Sequence, residues 1–255
     1  KSANIFRFKQ FCVVNERSAM KVNTDGVLLG AVMTILPADA RFLDVGTGTG
    51  TIALMAAQRL EDIHHSMSDT DGTSPGQTIT AIDIDEASAE EAAQNFRNSP
   101  WSDILHARNE SLDGYASGLL PDEKFDLIFS NPPYFDETLT APDLRRNNAR
   151  HTSTGLSYRE LMDFAADRLS SDGRLSLVLP ADTEHDLTRY ARMSGLHLFR
   201  IIRVRTVPRK APIRIIAEFS RSRCVSPEDR TVAIHEEGRY SDEYLSLTRD
   251  FYLFA

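Results

Sequence analysis

Little cysteine is present, and no long apolar run occurs anywhere in the 255 residues. The two cysteines, Cys12 and Cys224, show neither a CxxC nor a Cys/His spacing, so we expect no disulfide framework and no structural zinc. No stretch approaches the roughly 20 apolar residues that cross a bilayer, and the first residues lack the apolar core of a signal peptide. These absences predict a soluble, cytoplasmic protein without a metal or a membrane partner.

An excess of acidic residues limits the partners that the surface as a whole could bind. The net charge is −8, from 29 basic and 37 acidic side chains. We expect no nonspecific coating of nucleic acid, because such binding depends on neutralising many phosphates. With 41% hydrophobic residues the chain can bury one full core, and we predict a single domain over residues 1–255.

Two basic clusters depart from this acidic average. Residues 200–214 contain six basic and no acidic side chains, and residues 145–151 contain three arginines and a histidine. One interpretation is that these are the solvated edges of a hairpin and a loop. The other is that they form a local basic surface, next to a site, on an otherwise acidic protein.

Strand-like and helix-like stretches alternate along most of the chain. Apolar and β-branched runs predict seven strands, at residues 40–46, 78–84, 104–108, 125–130, 174–179, 196–207 and 213–220. Helical stretches fall among them, at residues 51–60, 86–96, 158–169 and 183–193. This order predicts a doubly wound α/β fold, with a mostly parallel sheet and ligands at the carboxyl ends of its strands. The last two strands must be antiparallel, because residues 208–212 leave no room for a crossover helix.

Residues 62–77 interrupt this alternation. They are polar, nonperiodic and rich in Gly, Pro and Ser, which predicts a flexible surface loop between a helix and the second strand. We do not expect His64 and His65 to bind a metal, because such a loop offers no fixed partner ligands.

A glycine-rich turn follows the first strand of the predicted sheet, in the stretch DVGTGTG at residues 44–50. Glycine permits a tight turn there and a close approach of the backbone to a ligand. Thr51 stands where the dinucleotide fingerprint has its third glycine, and the lysine of a P-loop is absent. Because Asp44 would repel a pyrophosphate, the turn suits a cationic ligand better.

The strand at residues 125–130 ends in the sequence Asn131-Pro132-Pro133-Tyr134. Proline lacks an N–H for the sheet ladder and fixes its own φ, so the two prolines end the strand and hold the backbone extended. A simple strand terminator would explain the prolines. It would not explain why this sequence stands at the ligand end of a sheet, behind a glycine turn.

The DxGxGxG turn, the acid Asp83 at the end of the second strand and the NPPY sequence together resemble the class I S-adenosylmethionine-dependent methyltransferases, which are Rossmann-like enzymes. Residues 8–11, 20–31 and 149–152 resemble most closely the bacterial tRNA1(Val) (adenine-37-N6)-methyltransferases. The resemblance covers nearly the whole chain. It implies a seven-stranded sheet, S-adenosylmethionine as cofactor, tRNA as partner, and N6-methylation of an adenine at position 37 of a valine tRNA.

The same resemblance implies roles for the candidate residues. The Asn131 side-chain oxygen and the Pro132 carbonyl each accept one N–H of the adenine amino group, Pro133 helps to aim the backbone, and Tyr134 stacks on the extruded base. Residues 1–38 help to enclose the cofactor. The implied cofactor contacts are Thr24, Asp44, Gly46, Thr47, Gly48, Gly50, Asp83, Ile84 and Asn109. The substrate contacts are expected in the basic clusters, at Arg146, Arg150, His151, Arg203, Arg205, Arg209 and Lys210.

Several alternatives stay open at this stage. Thr24 or Asp25 could simply cap a helix at residues 26–35, and Asn109 could serve only its loop. Glutamine-amide methyltransferases use the same NPPY logic, although they usually carry a helical domain before the core, whereas about forty residues precede Asp44. Besides tRNA methylation and glutamine-amide methylation, a third possible function is that of a noncatalytic methyltransferase-like module that only binds a partner.

Overall fold

The computed structural model describes residues 4–67, 76–133 and 156–255. Its strands are β1 (Ile5–Arg7), β2 (Cys12–Val14), β3 (Arg41–Val45), β4 (Thr78–Asp83), β5 (Leu105–Asn109), β6 (Phe125–Ser130), β7 (Leu169–Pro180), β8 (His197–Arg205), β9 (Arg214–Ser220), β10 (Glu228–Ala233), β11 (His235–Glu236) and β12 (Arg239–Tyr240). Its helices are α1 (Thr24–Val32), α2 (Thr51–Ser66), α3 (Glu86–Arg97), α4 (Leu112–Gly118), α5 (Tyr158–Arg168), α6 (Glu184–Met193) and α7 (Asp242–Thr248).

One eight-stranded sheet organises the described part of the chain, in the order β10-β8-β9-β7-β6-β3-β4-β5. Strands β5, β4, β3, β6 and β7 pair in parallel, whereas β9 runs antiparallel to both of its neighbours, β7 and β8. Strand β8 therefore points in the same direction as β7. As a result, the ends of β3, β6 and β8 lie at one edge of the sheet, which we call the carboxyl edge.

The two faces of the sheet are covered by different helices, as the doubly wound prediction requires. One buried apolar cluster contains residues of α1, α2 and α3 together with Phe8 and Tyr252, and the other contains residues of α4, α5 and α6. Chain order reverses between β3 and β6, the position at which such sheets open a crevice for ligands. The fold thus places a ligand site at the carboxyl edge beside these two strands.

The predicted α/β class, the mostly parallel sheet and the antiparallel strand near its end are confirmed. The strand count differs, because β10 adds an eighth strand parallel to β8. Its sequence, EDRTVA, buries only Val232 among its apolar side chains, so it lacks the apolar alternation that would have revealed it. An edge strand tolerates such a polar sequence, since it pairs on one side only.

The start of the predicted loop at residue 62 is wrong. Helix α2 continues to Ser66, and its buried residues lie in its first three turns, so the last turns are polar without ceasing to be helical. His64 lies on this extension, where its Nε2 is 2.7 Å from Nε2 of Gln77. The rest of the loop, apart from Met67, Gly76 and Gln77, falls outside the described residues.

Two features are absent from residues 4–67, 76–133 and 156–255. No helix there combines the length and the apolar character that a membrane span needs. No group of three or more His, Cys, Asp or Glu residues there is arranged to hold a metal ion.

Candidate functional site

A cleft opens at the carboxyl edge of the sheet. One wall comes from the segment that precedes β3, at residues 20–23 and Gly26. The opposite wall is the glycine turn, at residues 46–49, with Thr51 and Ile52 of α2, and Asn131 completes the lining. The two sequence motifs therefore meet at one cleft, together with an N-terminal segment.

The glycine turn folds tightly over the end of β4. The N–H groups of Gly46 and Thr47 both donate to the carbonyl of Ile82, at 2.9 and 3.0 Å. Gly48 has a φ of +57°, and a Cβ there would lie 3.3 Å from the Met20 carbonyl and from Ser18 Oγ. Glycine is required at this position both for the left-handed conformation and because the N-terminal segment crosses directly over it.

Helix α2 begins immediately after this turn. Its N-cap residue, Gly50, has a φ of +81° and provides no side-chain cap, and a Cβ there would lie 2.5 Å from the Phe96 ring. Uncapped N–H groups and the helix dipole make such a terminus attractive to an anionic group of a ligand. The start of α2 can thus attract an anionic group, whereas Asp44, which lies below the glycine turn, can attract a cationic one.

Asp44 is fully buried below the glycine turn. Its Oδ2 accepts the hydroxyl of Thr47 at 2.7 Å, and Oδ1 makes no hydrogen bond within the described residues. Burial raises the pKa of Asp44 to about 7, and the nearby charge of Asp83 adds to this rise. The Thr47 hydroxyl and, more weakly, the Ala53 N–H oppose it. A buried, under-satisfied carboxyl group favours a cationic or hydrogen-bond-donating ligand.

Asp83 stands at the end of β4 with its carboxylate held in place. Oδ2 accepts the N–H of Gly48 and Oδ1 accepts the N–H of Asp85, both at 2.9 Å. Burial raises the pKa of Asp83, while these two N–H groups oppose the rise. The side chain of the next residue, Ile84, is 71% exposed, which offers an apolar surface beside a carboxylate at a strand end.

Asn109 ends β5 next to this position. Its Nδ2 donates to the carbonyls of Asp83 and Ile84, both at 3.0 Å. The amide nitrogen therefore holds the end of β4, in keeping with the loop role that was left open. A role for its side-chain oxygen towards a ligand stays a proposal.

Asn131 is 4% exposed and lies at the floor of the cleft. Its Nδ2 donates to Met20 Sδ and to Asn23 Oδ1, both at 3.4 Å. Asn23 Oδ1 is an acceptor in its own right, since it caps α1 by accepting the Gly26 N–H at 2.9 Å, and its Nδ2 donates to the Lys21 carbonyl. These contacts orient the amide nitrogen of Asn131 towards the N-terminal segment, with its oxygen, the acceptor atom of an amide, on the other side.

The strand that carries Asn131 is fixed to β3. Ser130 Oγ donates to the Val45 carbonyl at 2.6 Å, which joins the end of β6 to the start of the glycine turn. Pro132 is buried and Pro133 is half-buried. Tyr134 lies outside the described residues.

Thr24 behaves differently from its neighbours. It is the first residue of α1, with Asn23 as the N-cap, and its side chain contacts the Tyr244 hydroxyl. Burial raises the pKa of Tyr244, and the contact with Thr24 opposes this rise. The cleft is lined by Asn23 and Gly26 and not by Thr24. The segment identified by resemblance is therefore present at the cleft, through different residues from the one we named.

The predicted basic surface divides into paired and exposed members. Arg203 forms ion pairs with Glu184, at 2.5 Å, and with Asp229. Arg205 ends β8 half-buried, and Arg209 and Lys210 are exposed in the turn that follows it at the carboxyl edge. Arg203 is thus paired with two carboxylates, and its contact with RNA stays a prediction. Arg146, Arg150 and His151 fall outside the described residues.

Sequence reasoning missed five residues that build or support this site: Ser18, Met20 and Asn23 beside the glycine turn, and Glu91 and Asn95 of α3, which hydrogen-bond to the backbone of residues 14–18. Only Asn23 carried a usable signal, because Asn followed by Thr-Asp-Gly is typical of a helix start. The others act through long-range contacts between the N-terminal segment, α3 and the glycine turn, which no local pattern indicates.

Comparisons with known proteins identify the family to which the chain belongs. Residues 32–207 match the family described as RMKL-like, methyltransferase domain. Curated relatives named tRNA1(Val) (adenine(37)-N6)-methyltransferase include those of Mannheimia succiniciproducens, 37% identical over 97% of this chain and 94% of its own length, and Bacteroides fragilis, 39% identical over 99% of both chains. That of Porphyromonas gingivalis is 42% identical over 98% of this chain and 95% of its own.

Solved structures share the fold at low sequence identity. A predicted O-methyltransferase from Agrobacterium tumefaciens has a TM-score of 0.61 at 18% identity and covers 89% of this chain and 96% of its own. A methyltransferase from Pyrococcus furiosus has a TM-score of 0.54 at 20% identity and covers 82% of this chain and 89% of its own. With relatives that match along almost the whole chain, this protein belongs to the tRNA1(Val) (adenine(37)-N6)-methyltransferase family.

Proposed function

We propose that this enzyme transfers a methyl group from S-adenosylmethionine to the N6 atom of an adenine in tRNA, at position 37 of a valine tRNA. The observation that carries the proposal is the orientation of Asn131. Its amide nitrogen points towards Met20 and Asn23, which supports the assignment of its oxygen as an acceptor for the adenine amino group. The relatives that carry this substrate in their names match along nearly the whole chain.

The chemistry of adenine explains why an oriented acceptor is needed. The exocyclic nitrogen shares its lone pair with the ring, so it is planar and a weak nucleophile. If the Asn131 oxygen and the Pro132 carbonyl each accept one N–H, the nitrogen becomes pyramidal and its lone pair faces the methyl group. Because both acceptors are fixed in advance, they reduce the cost of reorganisation during the transfer.

The residues that line and surround the cleft fit the proposed cofactor. S-adenosylmethionine supplies an electrophilic methyl group on a sulfonium ion, and the adenine nitrogen loses one proton after the transfer. The start of α2 suits the carboxylate of its methionine portion, and the unpaired Oδ1 of Asp44 suits its ammonium group. Asp83 would accept hydrogen bonds from the ribose hydroxyls, with Ile84 against the adenine ring.

The carboxyl edge also fits a polyanionic substrate. The turn after β8 places Arg209 and Lys210 at the edge where Asn131 lies, although the protein as a whole is acidic. Charges that are restricted to the neighbourhood of the site can hold the phosphates of one RNA segment without general binding of nucleic acid. The cytoplasm, where tRNA is modified, is the compartment we propose.

A labelling experiment tests the function. We would incubate the protein with radiolabelled S-adenosylmethionine and total RNA from a strain that lacks the endogenous activity, then digest the RNA and identify the labelled nucleoside. We expect N6-methyladenosine that is confined to a tRNA fraction, and on the order of 10² slower labelling by Asn131→Ala with cofactor binding retained. Label in protein and none in RNA would overturn the proposal in favour of glutamine-amide methylation.

A further inference from the structure

The N-terminal segment (residues 14–23) is fastened to α3 by a buried carboxylate. Three successive N–H groups, of Glu16, Arg17 and Ser18, donate to the Glu91 carboxylate at 2.9, 2.7 and 3.1 Å. Glu91 is only 1% exposed. A buried carboxylate is tolerated where such donors satisfy it, so the segment and Glu91 depend on one another.

Asn95 lies one helical turn further along α3 and joins the same segment to the glycine turn. Its Oδ1 accepts the Val14 N–H at 2.8 Å, and its Nδ2 donates to the Val14 carbonyl at 3.0 Å and to the Thr49 carbonyl at 2.8 Å. Its side chain is also buried, at 1% exposure. One amide therefore connects the start of the segment to the glycine turn.

A continuous series of contacts leads from this attachment to Asn131. Ser18 Oγ donates to the Met20 carbonyl at 3.0 Å, and this carbonyl and hydroxyl are the atoms that crowd Gly48. Two residues of the same segment, Met20 and Asn23, then contact the Asn131 amide nitrogen. Any shift of residues 16–18 would be passed on to the cleft wall and to the orientation of Asn131.

The helix itself does not require these two side chains. Glu91 lies in the middle of α3 and Asn95 in its last turn, and all their hydrogen bonds described above leave the helix. An apolar residue at either position would serve α3 packing without holding the segment. The hydrogen bonds of Glu91 and Asn95 are therefore explained by their attachment of the N-terminal segment to α3.

We infer that Glu91 and Asn95 are positioning residues that clamp the N-terminal segment onto α3, and so set both the cofactor cleft and the direction of the Asn131 amide. The inference rests on the proposed function, because the cleft is the one we assign to S-adenosylmethionine. Neither residue lines the cleft, so Glu91 acts through the segment and Asn95 acts through both the segment and the glycine turn.

The test compares Glu91 with its neighbour Glu90. Glu90 is exposed and pairs with the Arg17 side chain at 2.8 Å, so Glu90→Ala removes the same charge from the same helix without releasing the backbone of the segment. For Glu91→Ala we expect the KM for S-adenosylmethionine to rise about tenfold or more, with a smaller fall in kcat, because the loss of charge-assisted hydrogen bonds weakens the attachment. Glu91→Gln, which keeps an acceptor oxygen, should fall between Glu91→Ala and Glu90→Ala.

Hydrogen exchange of the cofactor-free protein reports the mechanism directly. The amides of residues 16–18 should exchange faster in both Glu91 variants, while those of β3, β4 and β6 keep their protection. If Glu91→Ala does not fold, Glu91→Gln carries the comparison. Faster exchange at residues 16–18 with a KM equal to that of Glu90→Ala would overturn the inference.

The two proposals fail in different ways. A wild-type protein that binds S-adenosylmethionine in calorimetry but does not label RNA would overturn the proposed substrate. The Glu91 variants would still weaken cofactor binding in that case if the inference is right. A wild-type protein that labels tRNA, with Glu91 variants indistinguishable from Glu90→Ala, would overturn the inference alone.

Discussion

Asn23 Oδ1 lies 3.4 Å from the amide nitrogen of Asn131 and also accepts the N–H of Gly26. One atom thus caps α1 and also attracts the Asn131 amide nitrogen towards the N-terminal segment, which turns the amide oxygen away from that segment. The cap ties this selection to the first turn of a helix that is packed tightly on α2 through Gly30 and Met55. Asn23 therefore connects helix packing to the orientation of the proposed acceptor.

The substitution Asn23→Ser separates these two roles. Serine caps helices about as well as asparagine, so we expect the free energy of unfolding to change by less than about 1 kcal/mol. Its shorter side chain cannot keep the contact with Asn131, so the amide should rotate more freely and kcat should fall by roughly threefold to tenfold. Steady-state kinetics and urea denaturation would measure both effects, and a kcat equal to that of the wild type would contradict the orienting role.

The close approach at Gly48 leads to a second prediction. In Gly48→Ala, the new Cβ would meet the Met20 carbonyl and Ser18 Oγ at 3.3 Å, in a backbone conformation that disfavours side chains. The N-terminal segment would have to move away from the glycine turn. We expect the affinity for S-adenosylmethionine to fall by about tenfold, as measured by calorimetry.

Gly195→Ala is the matched control for this experiment. Gly195 also has a positive φ, of +81°, but a Cβ there would meet no atom within 4 Å. This variant should lose about 1 kcal/mol of stability through backbone strain, with cofactor affinity unchanged. Equal losses of affinity in the two variants would show that strain alone, and not displacement of the segment, explains the effect.

Sequence reasoning located the motifs of this site because each motif is local. Three glycines in a strand-to-helix turn and two prolines after β6 each favour particular backbone conformations, and Asp83 is recognisable as an acid at the next strand end. The alternation of strands and helices then brings these ends to one edge, and the structure confirms that edge. Strand β6 was predicted with the bounds that the structure shows, Phe125–Ser130.

The wall of the cleft opposite the glycine turn was not predictable in the same way. Glu91 appears in the sequence as one of several acidic residues of an Ala/Glu-rich helix, beside the exposed Glu90. Only the packing of α3 shows that one carboxylate faces solvent and the other is buried against residues 16–18. The pairing of Arg203 with Glu184 and Asp229 was hidden for the same reason, since both partners lie far from it in sequence.

The buried carboxyl group of Asp44 makes a third prediction, which concerns pH. Burial raises the pKa of Asp44 from 3.8 to about 7 in the folded protein. A raised folded-state pKa means that the native state holds the proton more tightly than the unfolded state does. This contribution to stability is therefore complete below about pH 3.8 and is lost as the pH rises through about 7.

The comparison with Asp44→Asn isolates this contribution. We expect the free energy of unfolding of the cofactor-free wild type to fall relative to that of Asp44→Asn, by about 2 kcal/mol between about pH 5 and pH 8. Asp83 has a raised pKa as well, but it is present in both proteins, so its direct contribution cancels. Urea denaturation at several pH values measures the difference, and parallel profiles would mean that Asp44 stays ionised throughout.

The division of the basic surface leads to the fourth prediction. Arg209 and Lys210 are exposed at the carboxyl edge, and Arg205 stands at the end of β8 beside them. Arg203 is instead held between two carboxylates. Replacing Arg205, Arg209 and Lys210 by alanine should therefore weaken tRNA binding and lower the slope of log K against log salt concentration by about 2, since contacts with phosphates release counterions.

Single substitutions sharpen the comparison, because Arg203→Ala and Arg209→Ala each remove one positive charge. Arg209→Ala should lower the salt dependence of tRNA binding and leave the free energy of unfolding unchanged. Arg203→Ala should leave the salt dependence of tRNA binding unchanged and lower the free energy of unfolding. Its loss leaves Glu184 and Asp229 without their shared partner. Binding measured at several salt concentrations decides the matter: if Arg203→Ala reduces the salt slope as much as Arg209→Ala, then Arg203 leaves its carboxylates to contact RNA, and the pairing in the free protein does not define the bound surface.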